Sequence, residues 1–417
     1  MNKIRSKQHL FWEKLNSLFI YMMLFGFPII MLIPIALRTN TTPYSIAFRG
    51  FCVLLMLYLF FSPIRNDKEN KKVFSSFLLL LMFWIILLIR IIFDFEFTNV
   101  LRQDNLVLNP IQVYLFAIFL SLIPIIVIYK NRYLISIEKV ENSIFKIAIV
   151  SALSVLVGLI MNYGTNFSKI FLERTELSYG AETGVHPLNP ISISRAGSIV
   201  ILLTINQFFL NKSLNRLYLL LSLCLGFSLL LLGGSRGPFI STFIILFILF
   251  VTYRNKYSAK RLLFYSLIVF VILFHLINIE ELSIVKRFDN PIYGKDPTRA
   301  EIWDAAFDYF MKSPVWGYSI VDKFGIYPHN IYLETLMAVG LLGTLPFIFI
   351  ITRIIKIFIK EFKKGSLTNL MTITLAYLLF ASSSGSLYYT PELWVLIPIL
   401  LFRNLTRNLI SLKDQTS

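Results

Sequence analysis

An all-α protein that crosses a membrane many times is predicted by three features of the sequence: composition, the spacing of apolar runs and the placement of charge. Of 417 residues, 56% are hydrophobic and 39 are Phe, only 15% are charged, and mean hydropathy is +0.71. A soluble domain of this size carries far more polar surface. Apolar runs of roughly 17 to 25 residues recur about twelve times between charged breaks, each long enough to cross the hydrocarbon as a helix. With both termini placed in the cytoplasm, the inner segments and their helix ends hold 25 of the 40 Lys and Arg. That bias obeys the positive-inside rule, so the formal charge of +17 is mainly a topology signal. Nucleic acid is not an expected partner, because the basic residues are split among short loops and form no single face.

The first span, 17–37, follows Lys3, Arg5 and Lys7. It is too long for a signal-peptide core and has no small-residue cleavage pattern after it, so it reads as an uncleaved helix. Spans then follow at 46–64, 73–94, 110–129, 143–162, 192–210, 217–234, 237–253, 262–279, 341–359, 367–386 and 393–410. Cys52 and Cys224 fall inside apolar runs, where a small buried hydrophobe is expected rather than a disulfide. Residues 1–417 thus read as a single integral membrane domain with two large outer loops, 163–195 and 280–330. The short outer connections 95–109 and 387–392 offer little chemistry, although Tyr388, Tyr389 and Trp394 suit an interfacial aromatic belt. The first large loop holds Lys169, Glu173, Arg174, Glu176, Glu182 and His186, and re-enters the membrane at Ser192-Ile193-Ser194-Arg195.

Irregular polar chain between spans must sit outside the hydrocarbon or line a wet cavity, so ionisable groups gathered there mark a site. The second large loop and the helix after it supply Arg299 to Trp303, Gly317-Tyr318, Pro328 to Glu334, and then Gly340 and Gly343. Arg236 sits in a Gly-Gly-Ser-Arg-Gly-Pro break that joins two spans with almost no loop. An Arg at such a boundary can simply snorkel to lipid headgroups, and Arg195, Arg49 and Arg90 have the same alternative. Arg90 has a cheaper one, an ion pair with Asp94 one turn along the helix. Arg195, Arg236 and Arg299 stand apart because all three map to the outer face beside the large loops, where guanidinium forks could bind a phosphate bidentately.

Among four histidines, His9 lies in the cytoplasmic tail, His275 on an apolar span, and His186 beside Pro187 in a turn-like setting. His329 precedes Asn330, a good N-cap, so a helix is predicted over Ile331 to Val339. The positive end of that helix dipole favours a neutral imidazole, which can accept a proton. A capping or hydrogen-bonding role is the alternative.

These residues resemble the O-antigen ligase and O-antigen polymerase superfamily of bacterial surface polysaccharide assembly. The match lies in His329-Asn330 followed by Gly340-Leu341-Leu342-Gly343, in Arg299 to Trp303, in Ser313-Pro314-Val315-Trp316-Gly317-Tyr318, and in Gly234-Ser235-Arg236-Gly237. The resemblance implies a GT-C-like membrane glycosyltransferase of the inner membrane with its active site facing the periplasm. The donor would be a glycan on undecaprenyl pyrophosphate, and the reaction inverting, with no cofactor and no bound metal. His329 would be the base, Arg195, Arg236 and Arg299 would hold the pyrophosphate, and Asn330, Trp303, Gly340 and Gly343 would support them. The acceptor would be the next lipid-linked repeat unit in a polymerase or lipid A core in a ligase. Polymerases accompany each distinct polysaccharide and are the more numerous kind, which tilts the expectation to polymerase. Membrane lipids and a chain-length regulator complete the partners to look for. A flippase or other transporter is the alternative from another class, but the chain shows neither repeated halves nor a polar site at the midplane.

Overall fold

A computed structural model describes residues 2–63, 71–96, 110–164, 188–210, 215–254 and 299–413. The expected ninth span, 262–279, most of the first large loop, and residues 280–298 of the second lie outside the described residues. So do His186 and His275.

The described chain is helical. In order come α1 (Asn2–Tyr21), a π-helical turn (Met22–Gly26), α2 (Phe27–Ala36), α3 (Thr41–Phe60), α4 (Lys71–Glu96), α5 (Pro110–Leu115), a second π-helical turn (Phe116–Leu122) and α6 (Ile123–Asn131). Then follow α7 (Ile137–Tyr163), α8 (Pro190–Leu210), α9 (Arg216–Gly233), α10 (Arg236–Tyr253), α11 (Arg299–Lys312), α12 (Ile331–Lys363), α13 (Asn369–Ser384) and α14 (Pro391–Lys413). Among the described residues nine helical segments are long and apolar enough to cross a membrane, and Asn369–Ser384 and Pro391–Phe402 are shorter apolar helices. Together they fall on every expected span except the ninth. Both π turns lead into a proline at the start of the next helical segment, Pro28 and Pro124. A proline has no N–H to donate, so the ladder around it shifts register.

Apolar burial does not distinguish one helix from another in lipid, so close approach and polar contacts fix the packing. A Cβ at Gly197 of α8 would collide with backbone of α9 at Gly226 and Leu230, and one at Gly233 with Ser194. Ser198 Oγ shares a 2.6 Å hydrogen bond with Thr242 Oγ1 and so ties α8 to α10. At the far end, Asn206 Nδ2 donates to Leu367 O and to Asn369 Oδ1, and Tyr253 donates to Asn206 Oδ1. Glu141 of α7 caps α13 there, accepting the Asn369 N–H at 2.8 Å.

Two expectations change here. Tyr388 and Trp394 are fully buried, not part of an interfacial belt. Trp394 packs edge-on to Trp84 of α4 at 4.8 Å and donates its indole N–H to Leu387 O at 2.8 Å, which fixes the turn before α14. Arg49 lies over Phe116 and Phe27 at 4.9 and 5.6 Å, a cation–π setting inside the bundle. Cys52 and Cys224 are both free thiols, as their apolar surroundings lead one to expect.

Candidate functional site

At the end of the bundle opposite the Asn206 and Glu141 knot, α8, α10, α12 and α14 begin and α4, α9 and α13 finish. His329 stands at this end. Its backbone has φ 53°, and among the described residues only Arg38 shares a positive φ without being glycine. A bulky residue held there is uncommon, and such conformations gather at functional sites. Asn330 Oδ1 then caps α12, accepting from Tyr332 N at 3.0 Å and Leu333 N at 3.3 Å. The helix start predicted from Pro-His-Asn is therefore where it should be, with Asn330 as its cap and His329 on the turn just outside it.

Gly340 breaks α12 at φ 54°, ψ −156°. The broken ladder is mended from the Ser313–Tyr318 loop: Leu341 N donates to Pro314 O at 2.8 Å, Leu342 N to Val315 O at 3.0 Å, and Tyr318 N to Met337 O at 2.8 Å. Two backbones cross at a distance that no side chain permits. A Cβ on Gly340 would lie 2.5 Å from Gly317 N, and one on Gly317 would overlap Ala338. Gly343, one turn on, admits Val339 of its own helix and lies against Ile86 of α4. The two motif segments thus form one backbone clamp, which explains why both carry glycine.

α4 holds the clamp from the side. Arg90 and Asp94 make the expected i, i+4 ion pair at 2.6 Å, both buried. They also reach further: Arg90 Nη1 donates to Gly317 O at 3.3 Å, and Asp94 Oδ2 accepts from Ile320 N at 2.8 Å. The loop then turns on Asp322, whose Oδ1 accepts from Phe324 N and Ile326 N, and burial holds that carboxyl above its ordinary range. From α11, Trp303 Nε1 donates to Pro328 O at 2.9 Å, next to His329. Arg299 is the first residue of α11, exposed, one helical turn from Trp303 and on the same face.

Arg195 and the start of α10, which Arg236 opens, both pack on the end of α13. Arg195 Nη2 donates to Ser384 O at 3.1 Å, supplying a cation to the negative end of that helix. Arg236 opens α10, and its neighbour Gly237 is pressed against Ser383 and Ser384 so closely that a Cβ would lie 2.7 Å from Ser383 Oγ. The turn after α13 connects this pair to the histidine. Glu334, in the first turn of α12 and wholly buried, accepts from Ser386 Oγ and Leu387 N, each at 2.8 Å. Tyr389 of the same turn lies 5.7 Å from Tyr327, and Tyr327 lies 4.4 Å from the His329 ring. Burial raises the phenols of Tyr327 and Tyr389, the latter to about 12, with Arg195 opposing the first and Arg49 the second.

His329, Arg195 and Arg236 therefore share one end of the bundle around residues 384–390, while Arg299 joins them through α11 and Trp303. That turn is a correction to the sequence analysis, where 387–392 looked inert. Glu334 went without a role for the same reason, though a lone carboxylate on an apolar helix is itself a signal. Among the described residues no three His, Cys, Asp or Glu side chains gather as a metal ion would require.

Comparison with known proteins adds one family. Residues 220–348 match the family described as O-Antigen ligase, a stretch that contains Arg236, Arg299, Trp303, His329, Asn330, Gly340 and Gly343 and leaves Arg195 outside. No curated protein matches the chain. The match falls on the clamp and on the histidine turn, in an all-helical membrane protein, and it makes residues 220–348 similar to the O-antigen ligase family of bacterial surface polysaccharide assembly.

Proposed function

We propose that this protein is a metal-independent, inverting glycosyltransferase of the bacterial inner membrane that moves a glycan from undecaprenyl pyrophosphate to a sugar hydroxyl. One observation carries this reading: a strained histidine and two arginines share one end of the bundle, with a third arginine on the helix pinned beside that histidine. Transfer asks for a base to take the proton of the acceptor hydroxyl and for positive charge on the departing pyrophosphate. His329 is the base. Arg195, Arg236 and Arg299 supply the charge, and guanidinium forks serve where a divalent cation would otherwise be recruited. Both termini face the cytoplasm and the histidine end faces the periplasm, since the basic loops gather at the other end.

The transferred chain goes to the next lipid-linked repeat unit, so the product is a growing O-antigen or capsule polymer. A second reading, transfer of a finished chain to lipid A core, is favoured by the description of the matching family as O-Antigen ligase. The polysaccharide banding of a deletion strain separates the two. Core bearing a single repeat supports the polymerase; bare core with lipid-linked polymer accumulating supports the ligase. Wild-type banding in the deletion strain overturns both.

A further inference from the structure

Beside Arg195 lies a partly open cavity of about 90 Å³ walled by the first π-helical turn, the start of α2, α7, α8, α13 and α14. Its polar lining is Arg195, Glu392, Tyr377, Ser151 and Ser192. Arg195 Nε and Glu392 Oε2 are both shielded from solvent, and neither has a hydrogen-bond partner among the described residues. Tyr377 presents its hydroxyl to Glu392, and Arg195 and Glu392 feel each other's charge. A buried donor and a buried acceptor left unmatched are costly, and both belong to side chains that line the same space.

We infer that this cavity receives a hydroxyl-bearing edge of a sugar in the transferred or accepting glycan, with Arg195 and Glu392 as its recognition pair. The inference rests on the glycan-transfer reading above and adds a subsite to it. A hydroxyl can accept from Arg195 Nε–H and donate to Glu392 Oε2 together. A phosphate only accepts, and at Glu392 it would face another acceptor. A lipid chain satisfies neither group. The remaining wall, which includes Phe25, Phe27 and Leu188, is apolar and suits the C–H face of a pyranose. With about 30 Å³ for each water in the liquid, the space takes a hydroxymethyl group or one ring edge and excludes a whole sugar. It therefore reads one edge of one residue. The π turn gives the wall its shape, a local helix defect of the kind often found at functional sites.

The test uses the full chain in proteoliposomes. A synthetic polyprenyl-pyrophosphate repeat unit serves as donor, and the same repeat unit on a non-cleavable lipid linkage serves as a glycan that can only accept. Glu392→Gln should raise KM about tenfold for one of the two, the effect of losing a charged hydrogen bond, with kcat within about twofold. A shift for the donor alone assigns the edge to the donor sugar; a shift for the acceptor alone assigns it to the acceptor. Ser151→Leu fills the cavity from α7 and leaves Arg195 and Glu392 in place, so it should give the same KM shift without lowering the thermal midpoint. If wild type transfers glycan and neither variant moves either KM, the cavity holds water only and the inference is overturned. A collapse of kcat at constant KM overturns it too, because Glu392 would then move a proton. A wild type that transfers nothing removes the function proposed above, and this subsite with it.

Discussion

Gly340→Ala tests the clamp between the two motif segments. Gly340 sits close to a backbone region that essentially only glycine occupies, and placing another residue there costs on the order of 1–3 kcal/mol. The new methyl would also lie 2.5 Å from Gly317 N and 2.6 Å from Val315 O. Both are backbone atoms in a hydrogen-bonded crossing, so relief requires the loop to move, an overpacking cost of about 1–3 kcal/mol more. The sum, about 2–6 kcal/mol, is large against the stability of most folds. It falls on the segment that leads from Trp316 to His329, so transfer should be lost along with thermal stability. The assay is unfolding of the purified protein in detergent, together with its level in membranes. Gly50→Ala is the internal control: nothing lies within 4 Å of a Cβ at Gly50, which sits inside α3. There alanine should be neutral or should stabilise by about 0.5–1 kcal/mol. If Gly340→Ala melts with wild type and still transfers glycan, the clamp is not what holds the loop.

His329→Ala should abolish transfer while insertion and thermal midpoint stay at wild type; near-normal turnover would take the imidazole out of the mechanism. Arg299→Lys should remain at least about tenfold impaired, because a point charge does not reproduce a bidentate fork, and full rescue would mean that charge alone suffices. EDTA should leave initial rates unchanged, and loss restored by added divalent cation would refute the metal-free site. Glu334→Ala leaves the buried Ser386 O–H and Leu387 N–H without the acceptor they now share, so the folded fraction should fall by an amount worth about 1–3 kcal/mol for each. Activity per folded molecule should survive. Normal folding with lost turnover would give Glu334 a chemical role.

Much of this arrangement was legible in the sequence because a membrane leaves few options for a polar residue. The apolar runs located the spans, and Pro328, His329 and Asn330 located the start of α12, since Asx capping and proline restriction act locally. Arg90 and Asp94 were recognised as a pair for the same local reason. What stayed hidden was long-range. Nothing in the stretch 384–390 tells that Arg195, Glu334 and Tyr327 all come to it, because those contacts join residues far apart along the chain. Tyr388 and Trp394 misled for a related reason: aromatic residues at a span end look interfacial until a neighbouring helix covers them, as α4 covers Trp394. The helix expected over Ile331 to Val339 and the span expected from 341 meet at Gly340, but the kink there and the loop that crosses it could be found only in three dimensions.

The buried carboxylates at this end sharpen the choice of base. Asp94 is held by Arg90 and the Ile320 N–H, Asp322 by Phe324 and Ile326, and Glu334 by Ser386 and Leu387. Each stands in for water that loop backbone at a membrane boundary lacks. A carboxylate occupied in this way cannot take a proton from substrate without releasing an amide that has nowhere else to go. Asp322 and Glu392 each keep one oxygen without a hydrogen-bond partner among the described residues, Asp322 Oδ2 buried in its own loop and Glu392 Oε2 on a residue that lines the cavity beside Arg195. An imidazole has two nitrogens, so one can hold a fixed partner while the other exchanges a proton. With both oxygens of Asp94 and of Glu334 engaged, His329 remains the group best placed to be the base proposed above.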